Sequence, residues 1–394
     1  MADVRTERVA WADNLRHDPR PNEVKVPLHA VARELPPARP GVSRVPAAAG
    51  HRPSAEASYY DIPMLQQPVW KWEISSYFFL GGLSAGAYIL SRLAERIGAE
   101  QYRELIRAAT YVSLFSFLPG PPLLIHDLGD PKRFHHMLRV WKPSTPMNLG
   151  TWSIVAYSGM ATAAALREYF RGAVRSRERS ALRHIHNPTL LALHDLAGVP
   201  FAVMVAGYSG VLLSCTSNPV WCKNPWLGPL FSASSIATGA EAVSLTLDLA
   251  GTESPAASRA LMKIDTLAHL AEAGASAGFS KAAGEKARPL HHGAMRRYQQ
   301  ISRSAIVFAE VLKLLPVRGK ARKWVRMVSA ALGLVGGFAL RWTMVQAGHQ
   351  AAADPDLARL NSRASNPEKA PRHAPPAEAP TVPERQPIYA SGRQ

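Results

Sequence analysis

The 394-residue chain holds only two cysteines, Cys215 and Cys222, and neither stands in a CxxC or CxxCH pattern. Two thiols cannot supply the four protein ligands an iron–sulfur cluster normally takes, and covalent haem attachment through CxxCH is excluded as well. The pair either forms one bridge on an oxidising face or stays free. The first residues contain no apolar run, so no signal peptide is expected and the first apolar segment must serve as its own insertion signal. No basic stretch is interleaved with stacking aromatics, which argues against nucleic-acid binding despite a formal charge of +17.

What the sequence does hold is apolar residues in blocks. They make up 47% of the chain, and a mean hydropathy of -0.09 averages those blocks with two polar ends. Residues 1–68 carry ten prolines and 350–394 carry eight, with mixed charge and little apolar periodicity, so both read as flexible tails. Between them, in 69–349, a helix needs about 20 mostly apolar residues to cross the hydrocarbon. Windows of that kind fall at 72–93, 105–128, 149–170, 190–214, 226–250, 256–279 and 324–347, with a weaker one at 301–317 that holds Arg303, Glu310 and Lys313. The expectation is an all-α polytopic membrane protein of about eight spanning helices. Lys and Arg are denser in the loops after the odd-numbered spans, above all in 167–183. The positive-inside rule then puts the N-terminus outside, and explains the net charge without a soluble anionic partner.

Ionisable groups inside spans cost roughly 2.5–3.5 kcal/mol on insertion scales and mark functional sites by default. One set falls toward the outer side: Glu73 at the start of the first span, and His126 and Asp127 at the end of the second. Another falls toward the middle or inner side: His194, Asp195, Glu241, Asp265 and Glu272. Glu73 and His194 lie close enough to helix ends to reach headgroups or water. Just before His126 stands Pro119-Gly120-Pro121-Pro122. Prolines this dense break the helix and free carbonyls, which lipid tolerates only beside protein or a polar cavity. A pocket near the outer face is expected there, of the sort quinone chemistry requires: hydrogen-bonding groups at both carbonyl oxygens and residues that exchange protons. Tyr208, about 21 Å along its helix from His194 at 1.5 Å per residue, reaches the same level, either as a pocket hydroxyl or as an interface anchor.

At these residues the sequence resembles the NrfD family of polysulfide-reductase membrane subunits. The likeness is carried by Trp70-Lys71-Trp72-Glu73 with Tyr77-Phe78-Phe79-Leu80-Gly81-Gly82, by the loop from Asp127-Leu128-Gly129-Asp130-Pro131 to Pro146-Met147-Asn148, and by Tyr208-Ser209-Gly210 with Gly228-Pro229-Leu230-Phe231. The resemblance implies a multi-pass subunit of the bacterial inner membrane that carries no metal and binds a quinone such as menaquinone near one face. It implies electron exchange with a docked ferredoxin-like iron–sulfur subunit, which serves a molybdopterin or multihaem cytochrome catalytic subunit. It points to Asp127, His126, Tyr208 and Glu73 as the groups doing chemistry, with Tyr77, Gly81, Gly82 and Trp72 against the quinone. Glu241, Asp265 and Glu272, with His194 and Asp195 at the mouth, could form a proton path; carboxylates paired with arginines such as Arg341 for purely structural reasons are the alternative. Two other functions fit the same residues: a secondary transporter, which broken helices and intramembrane carboxylates also suit, and a non-catalytic anchor of the complex.

Overall fold

The computed structural model describes residues 65–174 and 187–365. The N-terminal tail, the stretch 175–186 and the end of the C-terminal tail lie outside the described residues. All regular structure within them is helical. The helices are α1 (Trp72–Gly98), α2 (Arg103–Phe117), α3 (Gly120–Asp127), α4 (Pro146–Val174), α5 (Pro188–Ser214), α6 (Leu227–Ala250), α7 (Pro255–Ala283), α8 (Gly293–Lys313), α9 (Lys320–Ala353) and α10 (Pro355–Ser365). A 3₁₀ helix, Pro131–Leu138, lies between α3 and α4, and two single-turn segments, Gly284–Ala287 and Arg288–His291, lie between α7 and α8. Helical structure therefore runs past Gln350, where the sequence suggested a tail, because the Ala-rich end of α9 packs on and α10 follows it.

Local chemistry sets these bounds. The Asn187 side chain accepts from Thr189 N at 2.8 Å and the Ser254 hydroxyl accepts from Ala257 N at 3.1 Å, each followed by a proline at the first helical position. Gly251 closes α6 in the left-handed region at φ 66°. The expected break in the second span is present: α2 stops at Phe117, α3 starts at Gly120, and the ladder resumes with Leu123 N donating to Pro119 O at 3.1 Å.

Eight helical segments match the eight windows, and five of them are long and apolar enough to cross a membrane: Trp72–Gly98, the α2–α3 stretch Arg103–Asp127, Thr189–Ser214, Leu227–Ala250 and Lys320–Ala353. α4, α7 and α8 have 29, 29 and 21 residues but are more polar. α4 is built of small Gly, Ala, Ser and Thr, while α7 and α8 carry charge along one face.

Helices run up and down, so one end of the bundle gathers the starts of α1, α4, α6 and α8 with the ends of α3, α5, α7 and α9. This is the pocket end; the other is the loop end. α1 is the most enclosed of the five apolar helices. It meets α6 backbone to backbone: a Cβ on Gly86 would stand 2.0 Å from Ser235 O, and one on Gly239 would stand 2.6 Å from Ala87 N. Trp221 plugs the pocket end, fully buried, donating to Met344 O at 3.0 Å and stacking on Trp70 at 5.6 Å. Cys215 and Cys222 are free.

Candidate functional site

Three buried polar groups stand out, and the expected residues divide among them. The first lies at the pocket end. Glu73, in the first turn of α1, is 4% exposed. It does not reach water as its place near a helix end suggested, because α3 folds over it. Its Oε1 stands 3.1 Å from His126 Nδ1, and its Oε2 has no hydrogen-bond partner among the described residues. His126 is 71% exposed, so the pair joins an enclosed carboxylate to the surface. Asp127 is half-buried beside it, within electrostatic reach of Glu73 and Lys71.

One turn further along α1, Tyr77 is buried against Gly120 of α3, where a Cβ would stand 3.3 Å from its ring. Gly81 lies under the same ring. Tyr77 also lies near Tyr208 of α5, which donates its hydroxyl proton to Pro146 O at 2.6 Å. The Tyr208 ring rests on Gly150, where any Cβ would come within 2.0 Å. Tyr208 thus lies at the level of Tyr77, with its proton committed to the start of α4 and its oxygen beside the Gly150 backbone N–H. Trp72 is 53% exposed and faces outward. Gly82 faces the other way, toward Ser235 and Arg341.

Outside this group the Asp127–Asn148 loop is shaped by Asn148, whose Oδ1 accepts from Lys142 N at 2.6 Å and whose Nδ2 donates to Val140 O at 2.8 Å. That clamp leaves Phe134, Leu138, Val140 and Trp141 exposed in the loop.

The second group lies at the loop end. Glu95 accepts from Arg92, Arg167 and Arg171 at 2.6, 2.7 and 3.2 Å, Glu168 pairs with Arg103, and Asp195 pairs with Arg96 at 2.9 Å. These ties join α1, α2, α4 and α5. His194 approaches the Tyr88 hydroxyl and Asp195, each at 3.5 Å, and Met160 O at 3.1 Å. Further in, Tyr157 shares its hydroxyl with Ser84 and Ser113 at 2.7 and 3.1 Å.

The third group is centred on His269 of α7, which the sequence reading missed. Its Nε2 stands 2.9 Å from Glu241 of α6 and 3.2 Å from Asp265, and its Nδ1 stands 3.5 Å from Glu272. Lys313 of α8 binds Asp265, and sits 2.5 Å from Glu310. Asp265, His269 and Glu272 follow each other at i, i+4 and i+7, so a single buried stripe of α7 was legible; the partners from α6 and α8 were not. Glu241, Asp265 and Glu272 are brought together as expected. His194 and Asp195 are not at their mouth, because their partners lie on α1 and α4. Arg341, fully buried, also departs from expectation: its hydrogen bonds run to Phe78 O, Gly337 O and the hydroxyls of Ser234 and Ser235, at 2.9–3.1 Å, and to no carboxylate among the described residues.

Two cavities flank these groups. One of about 630 Å³ opens beside the α8–α9 turn and reaches Glu241, Asp265 and Lys313. Another of about 320 Å³ at the pocket end is lined by residues 65–70, 216–218 and Trp221 rather than by Asp127 or Tyr208.

A protein-family model described as polysulphide reductase, NrfD, matches residues 61–353. A polysulfide reductase polypeptide of Wolinella succinogenes is 30% identical over 176 residues, covering 43% of this protein and 56% of the relative. A selenate reductase subunit of Mesobacillus selenatarsenatis is 27% identical over 201 residues, covering 43% and 46%, and protein NrfD of Escherichia coli is 28% identical over 185 residues, covering 44% and 57%. The chain spans about half the length of the curated relatives it matches.

Proposed function

Because the chain belongs to the polysulphide reductase NrfD family, we propose that it is the quinone-handling membrane subunit of a respiratory oxidoreductase in a bacterial inner membrane. In this reading it exchanges electrons between a membrane quinone such as menaquinone and a docked iron–sulfur protein, and a molybdopterin or multihaem cytochrome subunit lies beyond that partner. The observation that carries it is the meeting of Glu73, His126, Asp127, Tyr77 and Tyr208 beside a broken helix at one end of the bundle. A buried carboxylate with one oxygen unpartnered is a group waiting for a hydrogen-bond donor.

In this reading a quinol hydroxyl donates to Glu73 or Asp127. Asp127, half-buried, takes a proton, and exposed His126 passes it to water. Tyr208 turns its proton from Pro146 O to a quinone carbonyl. The ring edges of Tyr77 and Gly81 bound the apolar side. The exposed Phe134, Leu138, Val140 and Trp141 form the apolar patch on which the iron–sulfur partner docks.

The polar chain from Lys313 through Asp265, His269 and Glu241 supports a second role in moving protons from the loop end, as groups within hydrogen-bonding distance across the membrane interior do. The Tyr88–His194–Asp195 group belongs to a separate route at most.

The test is quinol-dependent reduction of the co-purified iron–sulfur partner in nanodiscs. Asp127→Asn should lower turnover by roughly 10²-fold, the low end for loss of a general base, with the complex still assembled. Tyr208→Phe should raise KM more than it lowers kcat. Unchanged turnover in both variants leaves an anchor without a site; absence of any redox partner or quinone favours a transporter.

A further inference from the structure

The group around His269 has the arrangement of a metal site, and we propose that Glu241, Asp265 and His269 bind one divalent ion of the zinc class, entering through the cavity beside the α8–α9 turn. Their ligand atoms lie within 4.8 Å of one another. His269 Nε2 stands 2.9 Å from Glu241 Oε1 and 3.2 Å from Asp265 Oδ1. Two donors on a tetrahedral ion with bonds of about 2.0 Å lie roughly 3.3 Å apart. The ion takes the place between ring and carboxylates, with His269 already at the spacing an ion requires from each carboxylate.

The surroundings point the same way. Glu241 is 1% exposed and its Oε2 has no partner among the described residues. It is lodged against Gly333 of α9, where a Cβ would stand 1.5 Å from Oε1, so the helix leaves room for this carboxylate alone. Behind the ring, Glu272 Oε2 faces Nδ1 at 3.5 Å, and neither atom has another hydrogen bond among the described residues. A carboxylate at the far nitrogen is the arrangement that fixes the tautomer of a metal-bound histidine and raises its basicity. Asp265 divides its oxygens, Oδ2 to Lys313 and Oδ1 toward His269. Lys313 is in turn held by Glu310, which also accepts from Thr266 at 3.0 Å. The ammonium thus serves the outer carboxylates and leaves the inner oxygen to the ion.

The two carboxylate ligands balance a dication, while Lys313 balances Glu310. One imidazole with two carboxylates suits a zinc-class ion, whereas calcium and magnesium favour all-oxygen sets. The cavity of about 630 Å³ supplies the path and a water as fourth ligand. Arg318, Arg322 and Arg326 also line it, and their charge slows the entry of a cation. If the polar chain carries protons as read above, a bound ion interrupts it; the binding itself does not rest on that reading.

The experiment uses the full-length protein without an affinity tag in nanodiscs, stripped with a chelator and titrated with Co²⁺ and then Zn²⁺. One Co²⁺ per polypeptide, displaced by Zn²⁺, is expected, with an X-ray absorption spectrum at the zinc edge showing a single imidazole among oxygen donors. His269→Gln should abolish stoichiometric binding, Glu272→Gln should weaken it roughly 10–100-fold, and exposed His292→Gln should leave it unchanged. Binding that survives His269→Gln, a spectrum of sulfur or oxygen alone, or no binding by the folded native protein overturns the proposal. Should His269→Gln fail to assemble, the native spectrum and Glu272→Gln decide. Quinol turnover, measured on the same preparation, reports separately on the quinone reading.

Discussion

Glu73 shows how far a residue's environment can depart from its place in the sequence. A carboxylate in the first turn of a helix ordinarily meets water and favours the helix dipole. Here α3 covers it and leaves one oxygen to His126 and the other without a partner among the described residues. Glu73→Gln keeps the shape and the acceptor but removes the charge. Quinol oxidation should fall at least tenfold while the complex assembles, and the fall should be in kcat if Glu73 acts in proton transfer. A variant with native kcat and raised KM would reduce Glu73 to a binding contact. The types and level of these residues were legible in the sequence; which of them touch was not. His269 shares one stripe of α7 with Asp265 and Glu272, but Glu241 joins it only when α6 and α7 pack.

At the scale of elements, the helices were legible because membrane length and apolar composition go together, and because Pro119, Pro121 and Pro122 cannot continue a ladder. What escaped the sequence was the difference among them. α7 is as long as α4, yet its buried stripe of Asp265, His269 and Glu272 makes it a poor membrane helix by itself. In a glycosylation-mapped insertion assay the segment Thr189–Ser214 should insert alone, and Pro255–Ala283 only when α6 precedes it; efficient insertion of isolated α7 would count against the packing described. Helix contact itself rests on small residues. Gly86→Ala drives a methyl into Ser235 O and should lower the melting temperature in detergent by several degrees, whereas Gly159→Ala, with open space around it, should leave it within error. Equal effects would place the α1–α6 contact elsewhere.

For the whole molecule, the two ends differ in chemistry. The loop end is held by Glu95, Glu168 and Asp195 in arginine pairs, and the pocket end by Trp221, Trp70 and neighbouring aromatics. Loop charge predicts that the pocket end faces outward. Cys215 is free and exposed at that end, so a membrane-impermeant maleimide should label it in intact spheroplasts of a Cys222→Ser strain. Labelling only after lysis would invert the orientation and move quinone chemistry to the cytoplasmic side. The position of α1 has one more consequence, for biogenesis. The first of these helices to leave the ribosome becomes the most enclosed one, and its Gly82 and Gly86 face meets Ser235 of α6 and Arg341 of α9, made much later. Until α6 and α9 arrive, α1 presents a small-residue surface to lipid. A truncated nascent polypeptide therefore carries a visible mark of incompleteness, available to a membrane chaperone or an intramembrane protease.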